Sequence, residues 1–149
     1  GPGPVGKGDI TAIFTVLVDG DDMNDPIADA VRGITDGHIV LDRKIAEKGR
    51  YPAIDLLASV SRTLPDCHSD VEYTLLTAAH KALAAHADME ELIRIGAYRA
   101  GSNPELDRAI AFAGPCEAFL SQRKAEHTPP QSSFAEVAGM LDRAGISPG

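Results

Sequence analysis

The rhythm of apolar and polar positions changes once along this chain, near residue 65. Before that point apolar residues come in short runs broken by turns; after it they recur at three- and four-residue steps. Residues 10–18 (ITAIFTVLV) are β-branched and apolar at successive positions, the pattern of a strand covered by helices on both faces of a parallel sheet. The polar stretch DGDDMNDP follows, in which Asp25 is placed to cap a helix that starts on Pro26. Ile27, Val31 and Ile34 recur on one face of that helix, and Gly37 is expected to end it. Residues 38–41 then read as a second strand, a short helix runs to Lys48, Gly49 stops it, and residues 51–55 form a third extended piece. The order β-α-β-α-β predicts a parallel sheet with ligands at its carboxyl edge.

After Pro65 the pattern is helical. Ser69 with Glu72 three residues on makes a capping box for a helix over 70–86, and Asp88 with Glu91 repeats the device for a short helix ending at Gly96. Asn103-Pro104 opens a longer helix expected to bend near Gly114-Pro115, since proline lacks a backbone donor. Residues 127–132 are a polar linker, and Ser133 with Glu136 caps a last helix to about Ala144. The fold class is α/β plus all-α, with part of a sheet domain at 1–65 and a helical bundle at 66–149. Three short parallel strands leave an apolar edge unpaired, which isolated domains avoid because such edges recruit other chains.

Charge and composition narrow the function. A net charge of −8 argues against a chain that neutralises nucleic-acid phosphates. No apolar run reaches the ~20 residues of a membrane span. Cys67 and Cys116 are too few for a disulfide scaffold or a zinc cluster and suit a reducing cytoplasm. The start Gly1-Pro2-Gly3-Pro4, without Met, a charged segment or an apolar one, is not a secretory signal and reads as a cut end. The spacing of residues 1–7 (GPGPVGK) imitates a phosphate-binding loop. However, Gly8 stands where the magnesium-binding hydroxyl belongs, and the stretch precedes a strand instead of opening a helix. His38, His68, His80, His86 and His127 show no metal-ligand spacing, so no metal site is assigned, and no nucleophile–base pair is spaced for a hydrolase site.

Three phrases, DDMNDPIAD, DGHIVLDR and YPAIDLLASVSR, stand in one order between Gly6 and Leu64. Together they resemble the second half of the nucleotide-binding domain of flagellar and type III secretion export ATPases, a family similar to the catalytic subunits of rotary ATP synthases. The helices that follow resemble its C-terminal domain, and the likeness weakens after about Gln131. The resemblance implies the C-terminal half of a P-loop, RecA-like domain with its helical bundle, taken from a homo-hexameric, cytoplasmic ATPase peripheral to an inner-membrane export gate. It implies ATP and Mg2+ as ligands of the intact protein, held by segments that have no counterpart in these residues. Central-stalk and regulatory proteins, export chaperones and export substrates are the implied partners.

By the same resemblance Arg62 is the arginine that reaches across a subunit boundary to a neighbour's γ-phosphate. Its fixed charge suits a transferring phosphoryl group, and a surface ion pair with Asp55 or Asp66 is the competing account. Tyr51 would stack on the adenine of the same subunit's nucleotide, or else be a core tyrosine. Phe119, in EAFLSQ, lies where relatives also approach the base, although Arg123 and Lys124 depart from the aromatic of ATP synthases. Residues 19–25 and 98–102 would face the stalk. The chain alone is expected to be inactive. Two alternatives stand beside this reading: a non-catalytic interaction module of the same descent, and a fragment of the ATP synthase catalytic subunit.

Overall fold

The computed structural model describes residues 6–8, 10–18 and 26–149. The chain divides into two compact units, one up to Thr35 and one over Asp36–Gly149. In the first, α1 spans Pro26–Ile34. The expected cap Asp25, the acidic loop 19–25 and most of the phosphate-loop-like stretch lie outside the described residues. Residues 10–18 form no strand, and Ile13 and Leu17 are 93% and 96% exposed. The expected apolar face of α1 is not buried either: Ile27 and Ile34 are exposed, and Ala28 is the residue that is buried. A unit of this size encloses too little volume for a core of its own, which is why apolar patterning does not turn into burial here.

In the second unit β1 (Gly37–Leu41) and β2 (Ile54–Ser61) pair antiparallel, from Gly37 opposite Ser61 to Leu41 opposite Ile54. This pair is a correction to the parallel arrangement expected from the alternation. The connection holds α2 (Arg43–Glu47), five residues long, which advances only ~7.5 Å at 1.5 Å per residue. Such a short element cannot carry the chain back along the sheet for a parallel return. Gly37 therefore does not end α1 but begins β1, and a Cβ there would lie 2.6 Å from the Val60 carbonyl. Gly49, at φ +85°, follows α2 as expected and turns the chain toward β2. The register slips between His38 and Val40. Residues 56–59 bulge out there, held because Asp55 Oδ1 accepts from the Leu57 and Ala58 amides and Ser59 Oγ accepts from the Val40 amide.

The bundle has three helices, α3 (Asp70–Arg94), α4 (Pro104–Leu120) and α5 (Pro130–Arg143). The Ser69–Glu72 capping box forms as read from the sequence: Ser69 N–H donates to Glu72 Oε2 at 2.9 Å, and Glu72 N–H to Ser69 Oγ at 3.3 Å. The second box does not form, because α3 continues through Asp88 and Glu91 to Arg94. The alanine-rich stretch before Asp88 favours helix strongly enough to outweigh a local cap. Asn103 caps α4 with Oδ1, and α4 passes through Pro115 without ending. The last helix starts earlier than expected, with Pro129 rather than Ser133 at its cap, because Pro130 stands at its first position, where proline is preorganised. The core lies where these helices meet: Phe112 and Leu141 are 0% exposed, surrounded by Leu75, Leu106, Met140 and the small Ala82, Ala109 and Ala144. Small residues let the helices approach while Phe112 and Leu141 fill the gap between them.

Candidate functional site

The residues with candidate chemistry lie at both ends of the short sheet. At one end, the turn after Gly49 carries Arg50, Tyr51 and Pro52 into β2. The Tyr51 ring is 60% exposed, so it is a surface aromatic and not a core tyrosine. Its backbone is fixed: the Tyr51 carbonyl accepts from the Gln122 amide at 2.8 Å, just past the end of α4. Arg50 on the same turn donates from Nη2 to the Ile54 carbonyl at 2.9 Å and pairs through Nε with Glu117 Oε2 at 2.8 Å. Phe119, on the last turn of α4, is half-buried and packs against the bundle core. The structure thus brings the turn that bears Tyr51 to the end of the helix that bears Phe119. A second tie runs alongside, from Lys48 Nζ to Glu90 Oε1 at 3.2 Å on α3.

Arg62 stands at the other end. Its amide donates to the Asp36 carbonyl at 2.8 Å, which extends the β1–β2 pairing by one bond, and its side chain is exposed. Because β2 is matched end to end with the five residues of β1, its two ends are separated by about 13 Å at ~3.3 Å per residue. Tyr51 and Arg62 therefore lie toward opposite ends of β2.

Further along, the turn at residues 98–102 is braced from inside α4. Asp107 accepts from the Tyr98 hydroxyl at 3.0 Å and from the Gly101 amide at 2.9 Å, which leaves Arg99 exposed on the turn. Burial pushes the Cys116 thiol up to about 11, with the neighbouring Glu117 carboxylate adding to the effect, so it packs as an inert core group. Among the described residues no His, Cys, Asp or Glu side chains gather into a group that could hold a metal ion. No described helix is long and apolar enough to cross a membrane.

Sequence reasoning passed over Arg50 and Asp107. Arg50 adjoins a helix-stopping glycine and a candidate aromatic, which was a usable signal, but its partner is 67 positions away and no local pattern announces it.

With this geometry in view, comparison with known proteins defines the class. Residues 2–61 match the ATP synthase alpha/beta family, nucleotide-binding domain, and residues 69–138 match the T3SS EscN ATPase C-terminal domain. The chain belongs to the flagellar and type III secretion ATPase branch of that family. It is 54% identical to the flagellum-specific ATP synthase of Caulobacter vibrioides over 95% of its own length and 33% of the relative's. Among solved structures it is similar to the assembled ATPase EscN from the type III secretion system of enteropathogenic E. coli. That match has a TM-score of 0.87 and 38% identity, over 93% of this chain and 34% of that one. EscN in complex with its central stalk EscO matches with a TM-score of 0.81 and 36% identity, over 93% of this chain and 33% of that one. The chain therefore spans about a third of the length of the relatives it matches.

Proposed function

We propose that this chain is part of the ATP-hydrolysing subunit of a flagellar or type III protein export apparatus, in which it serves two nucleotides at once. The observation that carries this reading is the placement of Tyr51 and Arg62 at opposite ends of β2, in a chain of this family. A ring whose sites lie between subunits needs, from each subunit, a base contact for its own nucleotide and a cation for its neighbour's. Tyr51, with Phe119 behind it, contacts the adenine held by its own subunit. Arg62 reaches the γ-phosphate held by the neighbour, where a fixed guanidinium stabilises charge that develops on the transferring group. Mg2+ and the phosphate cradle are assigned to other parts of the full-length subunit, because Gly8 stands where the magnesium-binding hydroxyl of a phosphate-binding loop belongs.

In this reading the exposed run 10–18 is a strand of the complete sheet, and the division of labour falls near residue 65, with a sheet domain before it and a helical domain after it. The full-length protein acts as a homo-hexamer in the cytoplasm, peripheral to the export gate. Its braced turn at 98–102 faces a central stalk, and its helical domain faces chaperones and substrates. The relatives' names and the EscN–EscO assembly support this reading.

The test is Arg62→Ala in the full-length subunit. Turnover should fall by at least about a thousandfold, as for loss of an arginine finger, while nucleotide affinity stays within about twofold, because the charge acts mainly in the transition state. Equal losses of binding and turnover would assign Arg62 a structural role. The chain on its own should show no Mg2+-dependent ATP hydrolysis.

A further inference from the structure

We infer that Arg50 and Glu117 are positioning residues for Tyr51: their ion pair locks the base-contacting turn to the helical domain, so that helix α4 sets how tightly nucleotide is held. The inference rests on the proposed role of Tyr51 in contacting the base.

The Arg50 side chain is only 10% exposed, unusual for an arginine on a turn, and both of its observed bonds act on one short stretch of backbone. Nε engages Glu117 on α4, and Nη2 closes the loop onto the Ile54 carbonyl. Between those two anchors sits Tyr51, whose own carbonyl is held by the Gln122 amide. The backbone under the tyrosine is thus fixed on either side and from below, while the ring stays open to solvent. An exposed aromatic on a fixed backbone is a preorganised stacking platform, which binds a flat ligand without first having to be ordered. A purely stabilising role fits this arrangement poorly, because bringing a guanidinium out of water costs about what the ion pair returns. Glu117, on the last turn of α4, and Gln122, two residues past its end, flank Phe119. A shift of α4 would therefore move the Tyr51 platform with it.

The experiment measures ATP hydrolysis by the full-length subunit carrying Glu117→Ala, alone and combined with Tyr51→Ala. Glu117 is 58% exposed, so its loss leaves the bundle core intact, and a denaturant midpoint checks this. KM for ATP should rise roughly three- to tenfold with kcat within about twofold, the signature of lost binding that is equal in ground and transition states. In the Tyr51→Ala background, Glu117→Ala should raise KM no further, because it acts through the ring it positions. Arg50→Lys, which keeps the charge and gives up the forked geometry, should fall between wild type and Glu117→Ala. An unchanged KM in Glu117→Ala, an equal rise in the Tyr51→Ala background, or a fall in kcat at constant KM would each overturn the inference. If Tyr51→Ala itself leaves KM unchanged, the base-contact reading fails instead, and a wild-type subunit that hydrolyses no ATP removes the proposed function altogether.

Discussion

Residues 10–18 and the middle of α4 are both rich in apolar side chains, yet they meet opposite fates. Ile13 and Leu17 are almost wholly exposed, whereas Phe112 and its neighbours Leu106, Ala109 and Cys116 are buried. The difference lies in their company. Helix α4 has α3 and α5 to pack against within the same unit, so its stripe at three- and four-residue steps finds a closed surface. A strand has no such independence, because its backbone donors and acceptors need a neighbouring strand before its side chains can share a core. Apolar patterning says which residues favour burial; topology decides whether the chain at hand can bury them.

The largest effect expected from this contrast is in the core. Phe112→Ala should lower the stability of the chain by about 3–5 kcal/mol, read as a fall in the urea midpoint, and a loss under 1 kcal/mol would mean that the bundle is not the core. Next comes accessibility of the two thiols. At pH 8 Cys116, with its thiol pushed up to about 11, presents thiolate on the order of one molecule in a thousand. Exposed Cys67 should thus react with a thiol reagent at least about a hundredfold faster. Comparable rates would show that the bundle opens readily.

Smaller again is the cap of α3. Ser69→Ala should cost about 1 kcal/mol. The Ser69 amide, the strongest of the local donors, holds the Glu72 carboxyl below the ordinary range. The folded value lies under the unfolded one, so this support is present above the ordinary carboxylate value and is lost as pH falls through the folded value. Alanine at 69 keeps that amide and loses only the hydroxyl's bond to Glu72 Oε2, so the acid limb of the stability curve in Ser69→Ala should be only slightly shallower. Least affected should be Leu17→Ser, within about 0.5 kcal/mol in this chain. The same change in a full-length subunit should cost about 2 kcal/mol, if strand pairing there buries the side chain. A large loss in the short chain would break the comparison with α4.

How much of this could be read beforehand follows the same division. Local devices were legible, since each is written within a few residues: the Ser69–Glu72 box, Asn103 before Pro104, and Gly49 after α2. Competing local signals were resolved wrongly where propensity over a longer stretch prevailed, as at Asp88, or where a proline pre-empted a serine, as at Pro129. The direction of β2 was misread because alternation of elements says nothing about how far a five-residue helix carries the chain. The candidate aromatics and Arg62 were found by family phrasing, and their separation along β2 came from the register. The Arg50–Glu117 pair, which joins residues distant in sequence, needed the fold itself.

The bond between the Gln122 amide and the Tyr51 carbonyl joins two peptide groups and involves no side chain. Mutational drift therefore has almost nothing to act on: any residue at 51 keeps the acceptor, and any residue but proline at 122 keeps the donor. A seam of this kind is inherited with the path of the chain rather than with its letters, and it would persist among descendants that had exchanged both residues.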